Sequence, residues 1–160
     1  MSKRGSMASP IAVIGLAWSG ALAAQATLAD YARVAALVNY MTSYVGETLL
    51  ACAAAKTLTE QQAEARFTAY RQRNTALLER AERWSEGAAR RLAEHCASAA
   101  ARSRSDDEGL SAMAAASARV QEEIGRQRDV PAFCAAQLAA IGNGGFDISS
   151  NAELQELLAK

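Results

Sequence analysis

The 160-residue chain has two prolines, one histidine, three cysteines and 6% aromatic residues. Two prolines are too few for a turn-dense β protein. A zinc site needs about four nitrogen, sulfur or oxygen ligands. One histidine and scattered cysteines do not supply them. The 17 Lys and Arg residues are matched by 17 Asp and Glu. That leaves no basic excess to neutralise phosphates, which argues against dedicated nucleic-acid binding. No apolar run reaches the roughly 20 residues of a membrane span. A Gly-x-Ser-x-Gly elbow is absent, and Gly142-Asn143-Gly144-Gly145 lacks the lysine of a phosphate loop.

Alanine is what the chain has most of, at 39 positions. It is the best helix former and a poor strand former. With 51% apolar residues, the composition fits one folded, all-α domain rather than a disordered chain.

The N-terminus reads as an export address. Lys3 and Arg4 precede the apolar stretch from Ile11 to Leu22, and Ala24-Gln25-Ala26 follows. A charged start, a short apolar core and small residues at alternate positions make a secretory signal peptide over residues 1–26, cut after Ala26. A cut after Ala23 is the alternative, and a start at Met7 would delete both cations. No cysteine precedes Cys52, so the cut offers no lipid attachment point. Residues 27–160 then form a single domain with 15 cations against 17 anions, periplasmic or secreted and without a stable membrane span.

A first helix is expected over Leu28 to Ala55. Tyr31, Val34, Val38, Met41, Val45, Thr48 and Cys52 recur at spacings of three and four. Its opposite face is only weakly polar, so it should sit between neighbours. A second helix opens at Thr59 with a Thr59/Gln62 capping box and continues to about Arg102, with Asn74 on its apolar seam. Gly87 marks the expected bend. A third helix is expected from a Ser105/Glu108 box to about Arg126, with Leu110, Met113, Val120 and Ile124 as its stripe. Pro131 suits the first turn of a short fourth helix ending near Ile141, with Gly142 in the left-handed position beyond it. Ser150 and Glu153 would cap a last turn. The architecture expected is an up-down-up bundle.

Short connections make consecutive helices antiparallel. Cys52 then lies at the same end as Cys134, just after Pro131, while Cys96 lies at the other end. Exported cysteines pair where geometry allows, within a Cα separation of about 7 Å. The expected bridge is Cys52–Cys134. It staples the fourth helix to the first, with Cys96 as a free buried thiol or the donor of an intermolecular bridge.

Candidate chemistry is sparse. His95 and Cys96 are adjacent on a helix, so their side chains diverge by about 100° and do not form a dyad. Met41 and His95 could flank a haem, but the Cys-x-x-Cys-His attachment motif is absent. Asp147, Ser149 and Asn151 alternate as in a calcium loop, which would require Gly and Glu where Ala152 and Leu158 stand. The reading is of no catalytic residues, no metal and no cofactor. Asn74 is the polar residue singled out, because a polar group on a buried seam can fix register or oligomeric state.

Leu58-Thr59-Glu60-Gln61-Gln62 resembles the Leu-Thr-x-x-Gln motif of the Spy/CpxP periplasmic chaperones. That resemblance implies a small exported helical protein that dimerises into a cradle for unfolded clients. Cys52, Phe67-x-x-Tyr70-x-x-Arg73-Asn74, Cys134 and Gly145-Phe146-Asp147 together resemble small exported helical proteins of Gram-negative bacteria with no assigned activity. That pattern implies export and a bridged bundle. The expected role is a non-catalytic binding or accessory protein of the cell envelope, its partner another envelope or secreted protein. Neutralisation of an envelope-acting toxin or hydrolase, chaperoning and homodimerisation are the alternatives.

Protein expressed with its native N-terminus should show an intact mass beginning at Thr27. Thiol alkylation should find one free thiol before reduction and three after. A mass that retains residues 1–26 with three free thiols would contradict both export and the bridge.

Overall fold

A computed structural model describes the backbone from Ile14 onward except residues 95–97, and the side chains from Thr27 onward except residues 95–98. Among the described residues it is all-helical, with six α-helices and no strand. They are α1 (Ile14–Ala54), α2 (Glu60–Arg73), α3 (Thr75–Glu94), α4 (Ser98–Gly125), α5 (Val130–Gly142) and α6 (Ala152–Leu157). A 3-10 turn, Ile148–Ser150, precedes α6.

The long α1 is the axis of the fold. None of its residues 34–49 is exposed. An evenly apolar helix has no solvent face and must be covered from several sides. The other helices and the 3-10 turn all pack on it, with α4 making the most extensive contact. Val34, Val45, Leu49 and Cys52 carry α1 into the core, joined there by Tyr70, Cys134, Ile141, Ile148 and Leu154. Buried Thr48 satisfies its hydroxyl by donating to the Tyr44 carbonyl one turn back, at 2.8 Å. The helix runs through Ala24 and Ala26, whose side chains lie outside the described residues, as do His95 and Cys96.

Several local expectations are corrected. The expected second helix is two helices. Asn74 caps α2, and α3 restarts at Thr75, because the Asn74 side chain binds elsewhere in the fold; Gly87 lies inside α3 without a break. The capping box at Thr59 forms as expected: its hydroxyl accepts from Gln62 N at 3.1 Å, and Gln62 Oε1 accepts from Thr59 N at 2.8 Å. Ser105 is not a cap, since α4 begins at Ser98. The left-handed residue after α5 is Gly144 (φ 79°), not Gly142, which is still helical. Asn151, not Ser150, caps α6 by accepting from Leu154 N at 2.8 Å.

The expected stripe of α4 is also corrected. Val120 is buried, but Leu110 is 65% and Met113 44% exposed. The buried face is Ala101, Ala116, Val120 and Gly109. A Cβ on Gly109 would meet Asn39 Nδ2 of α1 at 2.6 Å. Small residues let the two helices approach closely, and close approach wins over burial of two larger side chains.

Cys52 and Cys134 form a disulfide, with Cα atoms 5.6 Å apart and both residues fully buried. It joins the end of α1 to α5 near the start of that helix, whose Asp129 cap accepts from Ala132 N at 2.9 Å. The bridge spans 82 residues of sequence, for which the chain-entropy model gives about 4.5 kcal/mol of stabilisation. The double substitution Cys52→Ala, Cys134→Ala should lower the unfolding free energy by about 2–4 kcal/mol in chemical denaturation. Equal midpoints for the variant and the oxidised wild type would show that the bridge is not what holds α5.

Candidate functional site

The site begins with one face of α1. Arg33, Ala36, Leu37, Tyr40, Met41 and Tyr44 each have another member three or four residues along, so they form one stripe. A matching stripe on α4 runs Glu108, Ser111, Ala112, Ala115, Arg119 and Glu123. Phe146 and Asn151, from the segment after α5, form a second wall. Between them lies a cleft of about 800 Å³. Its α1 floor, from Arg33 to Tyr44, is about 16 Å long at 1.5 Å per residue.

One end is aromatic. Tyr44 stacks on Tyr40, with centroids 6.3 Å apart, and meets Phe146 at 5.4 Å. Here the Tyr44 hydroxyl donates to Glu123 Oε2 at 2.6 Å, tying α1 to α4. Burial first, then this bond to a carboxylate, pushes the Tyr44 phenol well above the ordinary tyrosine range. The other oxygen of Glu123 accepts from Arg119 Nε at 2.5 Å. That bond in turn holds the Arg119 guanidinium above its usual value.

The other end is polar. Arg33 donates through Nε and Nη2 to the two carboxylate oxygens of Glu153, at 2.6 and 2.9 Å. This hydrogen-bonded pairing lowers the Glu153 carboxyl and raises the Arg33 guanidinium. Both side chains are about half exposed, 52% and 49%. A pair this solvated contributes little, so it can be rearranged at little cost. Glu108 is engaged by Arg104 Nε at 2.9 Å.

The wall formed by Phe146 and Asn151 is fixed by the residue singled out in the sequence. Asn74 is buried, and its amide ties three points together. Its Oδ1 accepts from Ile148 N at 2.8 Å; its Nδ2 donates to the Tyr70 carbonyl at 2.9 Å and to Asp147 Oδ1 at 3.2 Å. Arg73 adds bonds to the Ile141 carbonyl at 2.6 Å and to Asp147 Oδ1 at 3.3 Å. Tyr70, fully buried beside them, has its phenol pushed up to about 12, by burial first and then by the Asp147 charge.

The structure therefore brings Cys52 to Cys134 and gives Asn74 an anchoring role, and it places Met41 in the cleft. Asp147, considered for calcium, is instead held by Asn74 and Arg73. Among the described residues, no group of three His, Cys, Asp or Glu is arranged to hold a metal ion. No described helix is long and apolar enough to cross a membrane. Reading the sequence helix by helix missed the cleft residues Tyr40, Tyr44, Arg119, Glu123 and Phe146. The stripe expected on α1 includes Met41 but not Arg33, Ala36 or Tyr40, and nothing local joins that helix to α4 and Phe146. No family model, no curated protein and no solved structure matches the chain.

Asn74→Ala would leave the buried Ile148 N–H without an acceptor and take one donor from Asp147. A loss of about 2–4 kcal/mol in urea unfolding is expected. A loss below about 1 kcal/mol would mean that the segment after α5 is held chiefly by Arg73 and apolar packing.

Proposed function

We propose that this chain is an exported, non-catalytic binding protein of the cell envelope, with the cleft between α1 and α4 as its binding site. The observation that carries the reading is the make-up of that cleft. It has an apolar and aromatic floor, and its carboxylates are already engaged: Glu123 by Tyr44 and Arg119, Glu108 by Arg104. Groups paired in this way line and shape a cleft, which favours holding a ligand over transforming one. Ligand sites are typically concave, mostly apolar and provided with a few convergent polar groups, as this one is.

The same reading takes α1, the α2–α3 pair and α4 as running up, down and up. Asn39 beside Gly109 and Tyr44 bonded to Glu123 support it, because the pairs advance together along α1 and α4. The buried disulfide supports an oxidising destination, where such bridges persist.

The test uses a photoreactive benzoyl-phenylalanine in place of exposed Ser111, inside the cleft, or of exposed Glu64 on α2, outside it. Irradiation of cells exporting the protein should give an adduct from position 111 that position 64 does not give. Ala112→Trp, which fills the cleft, should abolish it. Identical products from both positions, or none from position 111, would overturn the reading.

A further inference from the structure

The two ends of the cleft differ in what they offer a ligand, and the difference selects a chemical class. At the polar end most of the unoccupied hydrogen-bonding groups are donors, with Glu108 Oε2 the acceptor left over. A guanidinium has five N–H groups in a fixed fork. Arg33 uses Nε and one Nη2 proton on Glu153, which leaves Nη1 and the second Nη2 proton. Asn151 uses only its Oδ1, as the α6 cap, which leaves its NH2 group. Ser111 adds a hydroxyl on the facing helix. The carboxylates at this end are already engaged, Glu153 on both oxygens and Glu108 on one.

The far end offers contact surface. Tyr40, Met41, Tyr44 and Phe146 surround it. The Tyr44–Glu123 bond closes it from α1 to α4, and the Tyr44–Phe146 contact closes it toward the segment after α5. The Arg33–Glu153 pair spans from α1 to α6 at the opposite end. A helix is about 10 Å across and would have to displace these links to lie along the cleft. A slender molecule would not.

We infer that the cleft takes a free, single-chain amphiphile with an acceptor-only head group, the head held by Arg33, Asn151 and Ser111 and the tail lying over Met41 toward Tyr44 and Phe146. The Arg33–Glu153 pair shifts to share its guanidinium with the head. The inference rests on the cleft being the binding site. A cross-link from position 111 to a protein, with no amphiphile bound, would defeat this inference alone. No cross-link at all would defeat both.

The probes are dodecanoate and dodecyltrimethylammonium, which share a tail and differ in head, each titrated calorimetrically as monomers into the full chain. Dodecanoate should bind at one site per chain, at least about tenfold more tightly than the ammonium probe, as expected for charge-assisted bonds. Asn151→Asp keeps the cap acceptor and replaces the donors with an acceptor. It should weaken dodecanoate about tenfold or more at unchanged helix content and melting temperature. Ala112→Trp should abolish binding of either probe. Equal binding of both probes, no saturable binding of dodecanoate, or binding only to phosphatidylglycerol vesicles would overturn the inference. Full retention of dodecanoate binding by a folded Asn151→Asp variant would overturn it too.

Discussion

Everything in this fold depends on the need to cover α1. A helix with no exposed residue from 34 to 49 is stable only inside a shell. Its neighbours share access to it, and α4 takes the most extensive contact, burying Gly109, Ala116 and Val120. Leu110 and Met113 stay exposed as a consequence. Dispersion falls steeply with distance, so many close contacts between small side chains outweigh two larger ones placed elsewhere.

The cleft is where that covering stops short. The α4 helix reaches α1 from one side, and the segment carrying Phe146 and Asn151 reaches it from another. The two do not meet over Leu37, Met41 and Tyr44. The segment stays in place because Asn74, Asp147 and Arg73 tie it to the α2–α3 junction. Gly144 supplies the left-handed turn that lets Asp147 come back to them. The disulfide fixes α5 to α1, so the segment is tethered at its start as well. A polar anchor in the core thus sets the position of a wall at the surface.

Charge pairing gives the cleft its character. Its guanidiniums and carboxylates are mostly paired across elements, α1 to α6 and α1 to α4, or within a turn of α4. Such pairs add little stability when solvated. They do fix which hydrogen-bonding groups remain unoccupied, and at the Arg33 end most of those are donors. Selectivity here follows from what the protein leaves unpaired rather than from net charge.

Helical class, the capping box at Thr59, the proline-started α5 and the pairing of Cys52 with Cys134 were legible in the chain. Each depends on local propensity, or on the order of elements along the sequence. The break at Asn74 was not legible. Its position on an apolar seam was visible, but its partners lie more than seventy residues away in Asp147 and Ile148. Nor was the face that α4 buries, because periodicity ranks side chains by hydrophobicity and is blind to how closely two helices can approach. Sequence alone determined an α-helical chain with a long apolar helix at its centre and a bridge from that helix to α5. Tertiary structure alone decided which sides of the helix were covered, and so where the cleft opened, because covering is settled by distances between elements far apart in the chain.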